Sequence, residues 1–300
     1  MTGGGPPRVL VVGEVMTDII VRPEGPLVMG SDRRADIVTR PGGSGANQAA
    51  WLASFGLAVR FAARVAAADH DSFTAQFRRR GVEALLGSDP DRPSGTLVTI
   101  VAPDGERSFL TDKGANAALS TVDLPETLLD GCRLLVVSGY SLFEPTPRTS
   151  VIGLLRAARG RGLPVAVDPA SVGFLAEVGA AAFFDWTTGA TTIFANAAEA
   201  AALTGATEIE AQVRALGAAY PRVVIKQGAA GAVLGDRAGV RLSRPSRAVE
   251  VIDSTGAGDA FAAAFIAAEL GGAAPEVALE RAISAGADAV TRVGGRPPGT

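Results

Sequence analysis

Apolar residues fall along this chain in short unbroken runs, with helix-spaced stripes between them. The run 8-RVLVVG-13 does not alternate, which predicts a strand covered on both faces. The segment 14-EVMTDIIV-21 continues it in extended form, and 58-AVRFAARV-65, 134-LLVVSG-139, 164-PVAVDP-169, 191-TTIFAN-196 and 222-RVVIKQG-228 read as further strands. Helical patterns fall at Ser72–Arg80 and at about 148–161, 173–184 and 208–220, and the alanine-rich 195-ANAAEAAAL-203 reads as a tightly packed helix. Buried strands alternating with helices need crossover connections, so the expected class is α/β: a mostly parallel central sheet with helices on both faces.

One region breaks that rhythm. Between Pro93 and Thr111 the pattern alternates through 96-TLVTIVA-102, a turn at Pro103-Asp104-Gly105 and 107-RSFLT-111, which predicts an antiparallel hairpin. No helix separates its strands, so it is expected to stand outside the main sheet, with Asp32–Thr39 as a pairing partner. The expectation is a single domain over 1–300 carrying a small antiparallel β lid made from about 19–40 and 94–112.

Two glycine-rich turns lead into helices. In 41-PGGSGANQAAWLASFG-56, Gly42, Gly43 and Gly45 make a tight loop, and Ala49, Leu52, Ala53 and Phe55 form a stripe that stops at Gly56. In 249-VEVIDSTGAGDAFAAAFIA-267, Val249, Val251 and Ile252 read as the end of a short strand, while Phe261, Phe265 and Ala268 share one helix face. The first N–H groups of a helix lack internal acceptors, so the Gly256-Ala257-Gly258-Asp259 turn has the makings of an anion site. Glycines that only make the turn, and an acid that only stabilises the first helical turn, explain the same spacing.

Composition narrows the classes. At 300 residues and 47% hydrophobic, a large core is available, and a formal charge of −3 gives no field to attract a polyanion, so nucleic acid is not an expected partner. No segment approaches ~18 uninterrupted apolar residues, which argues against a membrane partner and for a cytoplasmic protein. The single cysteine, Cys132, rules out an intramolecular disulfide and reads as a partly buried core residue. The single histidine, His70, sits between Asp69 and Asp71 and reads as a solvated loop residue; its solitude removes paired-His metal motifs.

Polar and glycine residues collect at the carboxyl ends of the expected strands, at Asp18, 42–47, 138–139, Asp168, Asn196, 226–231 and 253–259. Ligands of open α/β sheets bind beyond those ends. There is no G-x-x-x-x-G-K-[ST] string and no full G-x-G-x-x-G, so phosphate handling falls to the helix start at 256–259.

The string D-S-T-G-A-G-D-A-F closely resembles the signature of the ribokinase-like (PfkB) family of carbohydrate kinases, and the resemblance runs from about Val9 to Pro298. It implies an ATP-dependent kinase of a small sugar or sugar-like alcohol, with nucleoside, 2-keto-3-deoxygluconate and phosphosugar kinases, or a non-catalytic sugar-binding regulator, as alternatives. By resemblance, Asp259 is the catalytic base, and the amides of Gly256, Ala257 and Gly258 form the anion hole. Asp259, near a helix start, is then expected to remain ionised at neutral pH.

Four further strings carry the likeness. 41-PGGSGANQAA-50 resembles the family's sugar-contacting G-G-x-G-x-N-x-A, which implies substrate roles for Gly42, Gly43 and Asn47; Ser44 stands where ribose-specific members typically have Lys. 13-GEVMTD-18 resembles G-[ED]-x-x-x-D and makes Asp18 a binder of sugar hydroxyls. Asn196 and Glu199 match N-x-x-E, tied to Mg²⁺ through water, although Asn196 capping a helix with Glu199 at its third position describes them equally well. Lys226, Gly228 and Gly231 resemble a K-x-G-x-x-G loop beside the nucleotide, and Asp253 with 290-VTRVGG-295 resembles the monovalent-cation elements of K⁺-activated relatives. In relatives the lids clasp one another, which implies a homodimer through the lid.

Overall fold

The computed structural model describes residues 6–102 and 107–298. The chain runs β1 (Arg8–Val12), β2 (Met16–Pro23), β3 (Ala35–Gly42), α1 (Ser44–Ser54), β4 (Ala58–Ala66), α2 (His70–Arg79) and β5 (Val82–Asp89). It continues through β6 (Gly95–Val101), β7 (Arg107–Asp112), β8 (Cys132–Ser138), α3 (Pro145–Gly160), β9 (Val165–Asp168), α4 (Val172–Val178), α5 (Ala180–Trp186) and β10 (Thr192–Asn196). The last elements are α6 (Ala197–Thr204), α7 (Ile209–Leu216), β11 (Arg222–Lys226), β12 (Ala232–Asp236), β13 (Gly239–Arg244), α8 (Ala257–Leu270) and α9 (Pro275–Ala289).

A nine-stranded sheet of order β13-β12-β11-β10-β9-β8-β1-β4-β5 forms the centre. It is parallel from β11 to β5 and antiparallel only at the β11–β12–β13 edge. β1 shows why its run does not alternate. Val9 and Val11 pack with Phe61, Phe265 and Leu279 on one face, while Leu10 and Val12 pack with Leu135, Leu154 and Ile193 on the other. Both faces are dry, so every position is apolar.

The second sheet departs from the expected antiparallel flap. Its order is β3-β2-β6-β7, and the central pair β2–β6 is parallel. The cause is connectivity: β2 follows β1 and β6 follows β5, two strands that point the same way in the central sheet. β3 accordingly pairs with β2 rather than with the β6–β7 hairpin. The turn expected at Pro103-Asp104-Gly105 lies outside the described residues.

Other expectations are corrected locally. Residues 249–252 form no strand; Val251 and Ile252 are exposed, and the Ile252 and Asp253 N–H groups both donate to Val290 O. The helix expected over 173–184 is two helices, α4 and α5, parted at Gly179 with φ 81°. β5, β12, β13 and α9 went unread. His70 opens α2 half-buried, with Nε2 3.2 Å from Leu86 O, rather than lying in a solvated loop. Cys132 is half-buried as expected, and burial pushes its thiol up. Among the described residues no helix is long and apolar enough to cross a membrane.

Candidate active site

Register assembles the site. Adjacent parallel strands pair Ser138 with Asp168 and Asn196 with Lys226 at their carboxyl ends, so residues distant in sequence line one rim. The loops after β1 and β3 and the start of α8 join them there.

Gly256 caps α8 at φ 74°, a left-handed conformation that glycine adopts without strain. A Cβ there would also lie 2.4 Å from Gly295 Cα. No side chain caps this helix end. Ala257 N–H reaches Ser254 O at a long 3.3 Å, while the following first-turn amides have no carbonyl behind them within the helix. Lys226 approaches the same end: a Cβ on Gly258 would sit 3.1 Å from its Nζ.

Asp259, in that first turn, is buried, yet its carboxylate meets polar partners from α1 and not the apolar core. The Ser44 hydroxyl donates to Oδ1 at 2.7 Å, Gln48 Nε2 to Oδ1 at 3.2 Å and Asn47 Nδ2 to Oδ2 at 3.1 Å. Burial pushes its pKa up to about 7; the Ser44 and Asn47 hydrogen bonds and Lys226 work against that, and Asp168 adds to it. Burial thus works against the expectation that Asp259 remains ionised at neutral pH and leaves it partly protonated there. The helix terminus does not compensate for the loss of water around the carboxylate.

Asp18, on β2, is buried with Oδ1 unpartnered, and burial raises its pKa to about 6 while Arg296 opposes. Gly42 makes room for it, since a Cβ there would fall 2.1 Å from Asp18 Oδ1. Gly43 lies at φ 91°, packed on Glu14 O. Asn47 Oδ1 and Gln48 Oε1 are likewise buried without partners. Three buried acceptors thus remain unsatisfied on β2 and α1, and an unpaired buried acceptor is costly.

On the neighbouring strands, Asn196 and Glu199 form the reciprocal cap: Glu199 N–H donates to Asn196 Oδ1 and Asn196 N–H to Glu199 Oε2, each at 2.8 Å. Burial, reinforced by Asp168, raises Glu199 to about 7. Lys226 Nζ donates to Asp168 Oδ2 at 2.8 Å. Burial lowers its proton affinity, but Asp168 and Glu199 outweigh burial and hold the ammonium above the usual lysine range. Gly228 and Gly231 turn the chain from β11 into β12, and a Cβ on Gly231 would strike Arg244 O at 2.0 Å. Asp253 accepts from Thr255 N–H, the Thr255 hydroxyl and Gly294 N–H, bracing the entry to α8.

Several contributors carried no role in the sequence reading. Gln48 lies one turn after Ser44, and that i, i+4 spacing was its only signal. Glu14 accepts from Ser44 N–H at 2.8 Å and from the Ser138 hydroxyl at 3.1 Å. Arg296 donates to Gly42 O and to Gln76, and lies over the Phe77 ring. Nothing local marks it, because its neighbours come from the opposite end of the chain.

A mostly parallel α/β sheet with a second small sheet, polar at its carboxyl ends and with a glycine-started helix beside a buried acid, defines the ribokinase-like class. The chain belongs to the pfkB family of carbohydrate kinases, whose family model matches residues 6–299. It is 31% identical over 303 residues to the ATP-dependent ribose-1-phosphate kinase of Halopiger xanaduensis, covering 96% of this chain and 94% of that one. It is 29% identical to the bifunctional protein HldE of Caulobacter vibrioides over 95% of this chain, and it spans only 60% of that relative's length. A putative ribokinase II from E. coli, solved with ATP and Mg²⁺, superposes with a TM-score of 0.85 at 23% identity, covering 96% of this chain and 94% of that one.

Proposed function

We propose that this protein transfers the γ-phosphoryl group of ATP to a hydroxyl of a small sugar or sugar-like alcohol. The observation that carries the reading is Asp259 itself. A buried carboxylate stands beside an uncapped helix end, held by Ser44, Asn47 and Gln48, and the oxygens Asn47 Oδ1 and Gln48 Oε1, like Asp18 Oδ1 on β2, are buried acceptors without partners. Hydroxyl donors of a polyol satisfy such acceptors, and charge-assisted bonds to Asp18 discriminate against deoxy analogues.

In this reading Asp259 orients the attacking hydroxyl and takes its proton, and its pKa near neutrality suits that exchange. The amides of Gly256, Ala257 and Gly258 and the Lys226 ammonium meet charge on the transferred phosphoryl oxygens. Placement and neutralisation dominate in a loose transition state. Gly228 and Gly231 would lie along the nucleotide, and Asn196 with Glu199 would hold Mg²⁺ through water. The buried, acid-rich setting of Glu199 and Asp168 fits a divalent ion that keeps several waters. When bound, Mg²⁺ neutralises phosphate charge. K⁺ beside Asp253 belongs to the same proposal and rests on resemblance; a K⁺ titration of the rate tests it.

The second sheet, with the rest of the chain as a single domain, serves as a lid that excludes water from the transfer. Ile37, Phe109 and Leu110 are exposed on it, which supports a homodimer formed through the lid; a monomer in sedimentation at micromolar concentration would remove that part. An ATP-consuming role agrees with a cytoplasmic location.

The decisive experiment measures ADP release against ribose, fructose, 2-keto-3-deoxygluconate, adenosine and fructose phosphates, with product masses. A gain of one phosphate on an acceptor supports the proposal. Sugar binding by calorimetry without ATP turnover on any acceptor would replace it with a non-catalytic sugar-binding regulator.

A further inference from the structure

Arg296 belongs to the tail that follows α9, and that tail is pinned on both sides of it. The Gly294 N–H donates to Asp253 Oδ2, Trp51 Nε1 donates to Gly295 O and the Arg80 guanidinium donates to Pro297 O, each at 2.9 Å. Between these anchors the Arg296 guanidinium donates to Gly42 O at 3.1 Å and to Gln76 Oε1, and lies 5.0 Å from the Phe77 ring centroid. Its Nε is buried without a partner. Burial and the nearby Arg80 lower its proton affinity and Asp18 raises it, leaving a pKa of about 10, so the group is charged at neutral pH.

Gly42, whose carbonyl that guanidinium holds, is also the residue on which the Asp18 carboxylate packs. A Cβ on Gly42 would lie 2.1 Å from Asp18 Oδ1 and 2.2 Å from Oδ2. One residue therefore separates the Arg296 guanidinium from the Asp18 carboxylate. Burial, Asp253 and Glu14 all disfavour the ionised form of Asp18, and Arg296 favours it. Register puts Arg40 of β3 opposite Asp18, but the Arg40 guanidinium is exposed and donates to Thr39 O. A buried carboxylate among like charges stays ionised only with help from a cation, and only the ionised form makes charge-assisted bonds to hydroxyls.

We propose that Arg296 is a positioning residue for acceptor binding: it fixes the Gly42 backbone on which Asp18 lies, and its charge offsets the repulsion of Glu14 and Asp253. Asp18 then meets the acceptor's hydroxyls as an anion, and the tail after α9 sets acceptor affinity without touching the acceptor. This inference rests on the phosphotransferase reading, with Asp18 as the binder of hydroxyls, and adds a residue to that site.

The test uses whichever of ribose, fructose, 2-keto-3-deoxygluconate, adenosine and fructose phosphates gives the highest kcat/KM, and compares wild type with Arg296→Gln and Arg296→Lys at pH 7 and pH 9. Glutamine keeps a donor for Gly42 O without the charge, and lysine keeps the charge. Arg296→Gln should raise the acceptor KM at least ~5-fold at pH 7, with kcat and the KM for ATP changed less than about threefold. At pH 9, where Asp18 ionises unaided, the rise should shrink below about twofold. Arg296→Lys should hold KM within about threefold of wild type at pH 7. If Arg296→Gln does not fold, Arg296→Met, which keeps an apolar contact with Phe77, takes its place with the same expectations. An unmoved KM, an equal rise at both pH values, no recovery in Arg296→Lys, or failure of both neutral variants to fold overturns the proposal and leaves the kinase reading intact. No turnover by wild type on any of these acceptors defeats the kinase reading and this one with it.

Discussion

The Ser44 hydroxyl donates to Asp259 Oδ1 at 2.7 Å, tying the first residue of α1 to the first turn of α8 across 215 positions of sequence. The bond favours the ionised acid, which burial disfavours. Activity that needs the carboxylate should therefore rise with pH through about 7. Ser44→Ala should move that acid limb to higher pH, and Asp259→Asn should lower kcat by at least about a hundredfold with ATP affinity little changed. Rate profiles from pH 5 to 9 decide; an unmoved limb in Ser44→Ala would sink the coupling.

Burial of acids also predicts an unusual stability profile. Asp259, Glu199 and Asp18 all have folded pKa values raised above their ordinary ones, to about 7, 7 and 6. Between those values and the ordinary carboxylate range the folded state holds more protons than the unfolded one, so stability falls as pH rises through this window. Each tenfold change in proton affinity is worth about 1.4 kcal/mol. Without ligands, Asp259→Asn should be more stable than wild type at pH 8 by on the order of 1–3 kcal/mol, and the gap should close by pH 4. Urea melts at the two pH values measure it; an equal gap at both would contradict the assignment.

Two glycines in one turn should behave differently. Alanine at Gly256 meets a left-handed backbone and Gly295 Cα at 2.4 Å, which should destabilise the protein by roughly 2–4 kcal/mol. Alanine at Gly258 meets only the flexible end of Lys226 at 3.1 Å. Stability should stay within about 1 kcal/mol, while kcat falls at least ~10-fold as the ammonium is displaced. Thermal melts paired with kinetics separate the two, and matching stability losses would refute the distinction.

Ala170 has φ 76°, the positive value among the described non-glycine residues, two positions after Asp168, whose Oδ1 accepts its N–H at 3.0 Å. That conformation costs an L-residue roughly 1–2 kcal/mol, against roughly 0.5–1 for glycine's extra freedom when unfolded. Ala170→Gly should therefore gain about 0.5–1 kcal/mol, read from the shift in urea midpoint. A loss would show that the Asp168 turn depends on the methyl group.

Much of this was legible before the fold. Apolar runs such as 8–13 and 134–139 announced buried parallel strands because a strand covered on both faces tolerates no polar position. Asn196 and Glu199 announced their reciprocal cap because its two bonds close within one helical turn. β13 was missed because an edge strand alternates with exposed positions and loses that signal, whereas β12 is a buried run of only five residues behind a glycine turn. Val249–Ile252 misled because β-branched residues fit a strand, whereas the amides of Ile252 and Asp253 found Val290 O instead.

By itself the sequence determined the layered α/β class, the two glycine-led helix starts and the set of polar residues at strand ends, because each follows from periodicity or from bonds made within a few residues. Only the tertiary structure decided which of those groups meet. It set Ser44, Asn47 and Gln48 around Asp259, Arg296 near Asp18 and Lys226 on Asp168. It also decided the protonation of Asp259, since a carboxylate's pKa depends on the water it has lost and the charges packed around it, and both come from parts of the chain far from residue 259.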